Sequence, residues 1–257
     1  MSLPASTAPA AVPVEQAAGP AGAVRARSGV RCWALVPCAG VGERAGTALP
    51  KQYAMLQGQP LVRHTLRALR GLPQLGGTLI VLSPRDAHFE ALVPADEFDP
   101  RWLVRLGGAT RAASVAAGLT ALRERGAEDR DWVLVHDAAR CLLRPQWIQR
   151  LIDAVADDDV GGLLALPLAD TVKREDGAAR VQATVPRERL WLAQTPQMFR
   201  LGLLQQALAQ AGTAVTDEAG AIEALGHRPR LVPGEWENLK VTWPADFALA
   251  ERLLATR

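Results

Sequence analysis

An α/β fold, built on a mainly parallel sheet with helices on both faces, is what three features of the sequence predict. Short apolar runs bounded by Gly, Pro or charge recur along the chain, stretches of helical period lie between them, and polar, glycine-rich clusters stand directly after the runs. Such alternation gives β-α-β units, whose parallel strands are covered on both faces.

The runs at 33–36, 78–82, 102–106, 132–135 and 163–168 have the length of buried strands. Between them Val62, Leu66 and Leu69, then Val115, Leu119 and Leu122, then Ile148, Leu151, Ile152 and Val155 recur as one face of a helix does. The segment from 170 to 185 breaks this rhythm: Glu175-Asp176-Gly177 is a turn signal between Thr171-Val172-Lys173 and Val181-Gln182-Ala183-Thr184-Val185, which predicts a hairpin arm. An arm with no sheet of its own to cover is a dimerisation device or a surface loop, and its residues leave both readings open. Beyond it come Gln194-Thr195-Pro196-Gln197, a helix around Leu203, Leu204 and Leu208, and Thr216 as N-cap of a helix whose first turn holds acids. A last strand at 230–232 leads to Asn238-Leu239-Lys240-Val241-Thr242, and a closing helix begins near Pro244, where a first-turn proline is tolerated.

With 257 residues, 49% of them hydrophobic, the chain has material for one sizeable core. Residues 1–29, rich in Ala, Pro and Gly, read as a disordered leader, because they lack the basic start and unbroken apolar core of a signal peptide. Residues 30–257 read as a single domain with the arm at about 170–186. A net charge of +2 gives no strong field for nucleic acid or an anionic membrane, and no apolar run approaches the roughly 18 residues of a membrane span. Cys32, Cys38 and Cys141 form neither an even set nor a C-x-x-C pair, which points to a reducing cytoplasm and away from disulfides or zinc. Of 29 basic residues only Lys51, Lys173 and Lys240 are lysine, so a compact ammonium is singled out at those points or falls there by chance.

Ligands of open parallel α/β sheets sit outside the carboxyl ends of the strands. Gly40-Val41-Gly42-Glu43-Arg44 follows the first strand, and Gly107-Gly108-Ala109-Thr110-Arg111 the third, with Ser114 one turn into the next helix. His136-Asp137-Ala138-Ala139-Arg140 follows the fourth and Asp170-Thr171-Val172-Lys173 the fifth, so four strand ends turn polar groups into one crevice. A glycine pair after a buried strand bares backbone N–H groups to a phosphate, and Arg44 and Lys51 add two cations; residues 35–53 therefore read as a nucleotide triphosphate cradle.

That cradle is not a P-loop, since Gly-Lys-Ser/Thr occurs nowhere. A dinucleotide fingerprint is formally matched by Gly40, Gly42 and Ala45, but residues 46–50 obstruct the helix it requires, and the region near Thr65, where its acid should stand, is itself helical. Asp137, after a strand of apolar residues, is the candidate Mg²⁺ ligand, because Mg²⁺ takes one or two carboxylates plus substrate phosphate oxygens; capping the next helix is a competing and compatible role. His136 reads as a packed or hydrogen-bonded strand-end residue, and Asp157-Asp158-Asp159 as a solvated turn.

Taken in order, Pro37-x-Ala39-Gly40-x-Gly42-x-Arg44, Pro50-Lys51-Gln52-Tyr53, Gly107-Gly108 with Arg111 and Ser114, and His136-Asp137-Ala138-Ala139-Arg140 form a distinctive series. It continues through Asp170-Thr171-x-Lys173, Thr184-Val185-x-Arg187, Thr195-Pro196-Gln197, Thr216-Asp217-Glu218-Ala219 and Lys240-Val241-Thr242. The series resembles the 2-C-methyl-D-erythritol 4-phosphate cytidylyltransferases over residues 31–256. The resemblance implies a three-layer, Rossmann-like, mainly parallel sheet of the nucleotidyltransferase type with a protruding β-arm. It also implies transfer of the cytidylyl group of CTP to methylerythritol phosphate with release of pyrophosphate, a step of isoprenoid precursor synthesis that uses Mg²⁺. Arg44 and Lys51 match the transition-state stabilisers, and Asp137 the Mg²⁺-associated carboxylate. Ala39, Gly40, Gly42, Gly108, Ser114 and Arg140 match positions lining the nucleotide. Thr171, Arg187 and Lys240 match the groups that hold the acceptor, with the arm residues offered by the second subunit of a homodimer. Lys173 receives no role.

Cys38 and Ala109 stand where the family often has Ala and an acid, Cys141 replaces a usual proline, and Trp243 is unusual after Val241-Thr242. A cytidylyltransferase for another polyol phosphate, such as ribitol 5-phosphate, is the nearest enzyme alternative, and an inactive nucleotide-binding module the more distant one.

Overall fold

The structure is a computed structural model that describes residues 30–40, 49–212 and 215–257. The leader at 1–29, and Gly42 and Arg44 of the first loop, lie outside the described residues. The elements run β1 (Cys32–Cys38), β2 (Met55–Leu56), β3 (Gln59–Pro60), α1 (Leu61–Arg70), β4 (Leu75–Leu82), α2 (Phe89–Leu92), β5 (Leu103–Val104), α3 (Arg111–Glu124), β6 (Trp132–Val135) and α4 (Pro145–Val155). They continue with β7 (Gly161–Pro167), β8 (Val172–Glu175), β9 (Val181–Val185), β10 (Trp191–Arg200), α5 (Leu201–Ala211), α6 (Glu218–Ala224), β11 (Arg230–Pro233) and α7 (Pro244–Ala255).

Seven strands form one sheet in the order β11-β7-β10-β6-β1-β4-β5. The β1–β4, β1–β6, β4–β5 and β11–β7 pairs are parallel, and β10 alone runs antiparallel to both neighbours. Alternate residues of β1 show why both faces are covered. Ala34 and Val36 pack with Leu66 and Leu69 of α1 and Ile148 and Leu151 of α4, while Leu35 packs with Val115 and Leu119 of α3 and Leu204 of α5. Each such leucine, fully buried, contributes about 2 kcal/mol of transfer free energy. A smaller cluster of Leu56, Leu61, Cys141, Leu142, Val241 and Ala250 seats α7 beside the segment that carries Lys240.

Strand β10 is absent from the sequence reading, because Gln194, Pro196 and Gln197 interrupt its apolar pattern and proline cannot donate to a ladder. It forms a long hairpin with β7, Trp191 lying opposite Pro167, and the register shifts between Ala193 and Gln197, so residues 194–196 leave the β7 ladder. The arm is the interrupted tip of this hairpin: β8 and β9 pair only with each other and lie almost wholly exposed. Two further expectations need correction. The strand expected at 102–106 shrinks to β5, because Asp99 caps a 3₁₀ turn at Pro100–Trp102 through Arg101 N at 3.0 Å. Asp217, not Thr216, caps α6, accepting from Gly220 N at 3.0 Å.

Candidate active site

The strand-end loops are fixed to one another before any ligand arrives. Gln52 donates to Cys38 O at 2.9 Å, which sets the turn carrying Lys51 against the end of β1. Gly107 donates to Leu82 O at 2.8 Å, and a Cβ there would stand 2.2 Å from that of Ala39, so the loop after β5 touches the loop after β1 only because Gly107 has no side chain. Ser114 accepts from Gly108 N at 3.1 Å and donates to Thr110 O at 3.0 Å. With Ser114 only 2% exposed, its hydroxyl shapes the loop, and the exposed surface around Gly108 and Ala109 is left to meet a nucleotide.

Asp137 stands at the centre of the crevice, just past β6. Arg111 donates from Nε to its Oδ1 at 2.7 Å, and Lys240 Nζ lies 2.7 Å from its Oδ2. The two η nitrogens of Arg111 bond both oxygens of Glu218, at 2.6 and 3.0 Å, so Glu218 is present as the carboxylate. Burial opposes ionisation of Asp137, and the Arg111 and Lys240 cations override it, holding the carboxyl far below the usual carboxylate range. Burial likewise pushes the Glu218 carboxyl up, against the pull of Arg111.

The antiparallel strand holds this centre together. Asp137 N donates to Thr195 Oγ1 at 3.1 Å, and that hydroxyl lies 3.1 Å from His136 Nδ1. With Nδ1 as acceptor, Nε2–H donates to Arg140 O at 3.2 Å, and burial pushes the imidazole down to about 4. His136 is therefore the hydrogen-bonded strand-end residue expected. Asn238 donates to Thr195 O at 2.8 Å, and Gln194 donates to Glu235 O at 2.9 Å, which anchors the loop before Lys240. Gln197 donates to Asp217 at 2.8 Å and accepts from Ala219 N at 2.8 Å, which fixes the start of α6 and with it Glu218. Residues 194–196 leave the β7 ladder, and the side chains of Gln194, Thr195 and Gln197 bond three site segments.

The structure thus brings together Ala39, Gly40, Gly108, Ser114, Asp137, Arg140 and Lys240, with Lys51 beside the end of β1. Arg140 is fixed by Asn238 O at 2.6 Å and Ala193 O at 3.2 Å; among the described residues its buried Nε has no partner and no carboxylate bonds its charge. Val241 N bonds Ala139 O at 2.9 Å, which completes the placement of Lys240. Thr171 and Arg187 stand apart on the exposed arm, where Arg187 donates to Ala169 O and is not bonded to Asp137 or Lys240. Lys173 Nζ donates across the arm to Thr184 Oγ1 at 2.8 Å, a cross-strand clasp. Asp137 caps no helix, since the next one begins at Pro145. Arg111 and Glu218 were legible only as motif members, and neither was assigned to the site; a buried ion pair between residues so far apart in sequence leaves no local signal.

Among the described residues no three His, Cys, Asp or Glu side chains gather as a metal cluster. Both oxygens of the buried Glu218 are taken by Arg111, whereas Asp137 keeps its Oδ2 on Lys240, a partner whose side chain is 41% exposed. One carboxylate completed by substrate phosphates and water suits Mg²⁺. Site and fold together define a nucleotidyltransferase: an open, mainly parallel α/β sheet whose strand ends present a glycine loop, fixed cations and one carboxylate.

The comparisons with known proteins specify which kind. The family model described as 2-C-methyl-D-erythritol 4-phosphate cytidylyltransferase (IspD) matches residues 32–256, and the chain belongs to that family. It is 59% identical over 228 residues to a bifunctional IspD/IspF enzyme of Albidiferax ferrireducens, covering 88% of this chain and 54% of that relative, so it spans about half the relative's length. The 2-C-methyl-D-erythritol 4-phosphate cytidylyltransferase of Ralstonia nicotianae is 54% identical over 90% of this chain and 95% of its own. Among solved structures, a 4-diphosphocytidyl-2C-methyl-D-erythritol synthase superposes with a TM-score of 0.77 at 39% identity, covering 88% of this chain and 98% of that one. The Thermus thermophilus cytidylyltransferase gives 0.70 at 33%, covering 86% and 98%.

Proposed function

We propose that this chain transfers the cytidylyl group of CTP to 2-C-methyl-D-erythritol 4-phosphate, giving the cytidine diphosphate of methylerythritol and pyrophosphate. The observation that carries the reading is the ionised Asp137 carboxylate between Arg111 and Lys240, in a crevice with surplus positive charge from Arg140. A phosphate monoester oxygen attacks the α-phosphorus of CTP in line, and charge builds on the equatorial oxygens and the departing pyrophosphate. The catalyst's work is therefore positioning and charge stabilisation, with no covalent enzyme intermediate.

In this reading Arg44 and Lys51 act on the triphosphate, and Ala39, Gly40, Gly42, Gly108, Ser114 and Arg140 shape the nucleotide site. Asp137 holds Mg²⁺, which when bound supplies positive charge to the phosphates. Lys240 meets the acceptor phosphate together with Thr171 and Arg187 from a partner's arm. A homodimer is supported by apolar side chains left exposed on the arm and beside its base: Val181 is 65% exposed, Leu192 40%, Trp191 37% and Leu231 45%. A reducing cytoplasm is supported by three buried free cysteines, and no described helix is long and apolar enough to cross a membrane.

A pyrophosphate-release assay with CTP, with and without Mg²⁺, tests the reading. Turnover with methylerythritol phosphate that stops when Mg²⁺ is chelated is the expected result; turnover with ribitol 5-phosphate alone refutes the acceptor, and undiminished turnover in chelator refutes the metal.

A further inference from the structure

The buried carboxylate of Glu218 is not needed to hold a ligand, yet it is the most completely enclosed charge in the crevice. Its side chain is 1% exposed at the first residue of α6, locked there by the Asp217 cap and the two Gln197 bonds. It occupies Nη1 and Nη2 of Arg111, the edge of a guanidinium that matches a carboxylate in two parallel hydrogen bonds. Arg111 consequently meets Asp137 through Nε alone, on Oδ1. Asp137 Oδ2 is left to Lys240, a partner on a flexible stem.

We propose that Glu218 is a positioning residue for Asp137, acting through Arg111: it occupies the guanidinium fork so that Arg111 anchors one oxygen of Asp137 without chelating both. With Glu218 neutral, the nearest carboxylate for the fork is Asp137, and a bidentate Arg111 covers the oxygen that incoming cations and phosphate-bound groups need. The catalytic consequence rests on the reading that Asp137 serves the CTP site; the geometric consequence does not.

The test is Glu218→Gln, which keeps size and one acceptor oxygen, studied beside Glu218→Gln/Arg111→Gln, which leaves no unpaired buried cation if the single variant unfolds. A crystal structure of Glu218→Gln is expected to show both η nitrogens of Arg111 turned to Asp137, and Mn²⁺ binding followed by electron paramagnetic resonance in the presence of CTP is expected to weaken. The kcat/KM for CTP is expected to fall about tenfold, the usual scale for groups that orient a metal-facing ligand. The double variant is expected to be several-fold more active than Glu218→Gln, because without the fork nothing chelates Asp137. A scaffolding role predicts a double variant no more active than Glu218→Gln. Arg111 retaining its single Nε contact in Glu218→Gln overturns the proposal, as does wild-type kcat/KM in that variant. The Arg111 position decides the matter whatever the acceptor proves to be, whereas failure of the wild-type chain to transfer cytidylyl groups overturns the functional reading instead.

Discussion

Thr195 Oγ1 accepts the backbone N–H of Asp137 at 3.1 Å, across the antiparallel β6–β10 pair. The carboxylate at the centre of the crevice is thus held through its backbone by a neutral side chain of the adjacent strand. The same hydroxyl fixes His136, and the same segment fixes the loops of Glu218 and Lys240, so one break in the ladder sets three parts of the site.

Replacing Thr195 by Val removes this hydroxyl and leaves a buried N–H and an imidazole nitrogen unpartnered. Unfolding by urea is expected to show a loss of about 1–3 kcal/mol, with turnover reduced as well. Thr195→Ser is expected to retain both, and a Val variant of unchanged stability would remove the hydroxyl from the account.

The buried His136 makes stability depend on acidity. The unfolded imidazole takes up a proton near pH 6.5, roughly its ordinary pKa, whereas the folded one does not until about 4. The unfolded state therefore binds more protons across this window, and stability complete above it is lost as pH falls through it, by about 3 kcal/mol. His64, also lowered by burial, adds in the same direction. Urea midpoints measured between about pH 7 and about pH 4.5 are expected to decline, and His136→Gln to flatten the decline; an equal slope in the variant would assign it to other groups.

Lys51→Ala is expected to lower kcat by about a hundredfold or more, since one preorganised contact to the charge of the transition state is worth roughly 3 kcal/mol. Near-normal turnover refutes its role on the triphosphate.

Arg187→Ala is expected to raise KM for the polyol phosphate more than that for CTP. Mixing Lys51→Ala with Arg187→Ala subunits tests where the arm acts. If it serves a partner, hybrid dimers contain one intact site and activity returns; if it serves its own chain, both sites stay defective and the mixture remains inactive.

The parallel strands and their helices were legible because each buries a regular apolar pattern: Val115, Leu119 and Leu122 mark one face of α3, and β6 is four apolar residues in a row. The Gly107-Gly108 loop, the arm, Asp137 and Lys240 were legible as motifs at or beyond strand ends. Strand β10 was not, because its middle residues form hydrogen bonds to neighbouring loops in place of an apolar alternation. The link from Lys240 through Asp137 and Arg111 to Glu218 was hidden for a different reason. It joins residues as far as 107 positions apart, and only the fold brings those charges within hydrogen-bond reach.

Phosphorus NMR of the chain with CTP, Mg²⁺ and 2-C-methyl-D-erythritol 4-phosphate reads the transfer most directly. The monoester and triphosphate signals are predicted to give way together to paired diphosphate signals and one pyrophosphate signal. A monoester signal that persists while CTP is intact, or while ribitol 5-phosphate is consumed in its place, contradicts the assignment.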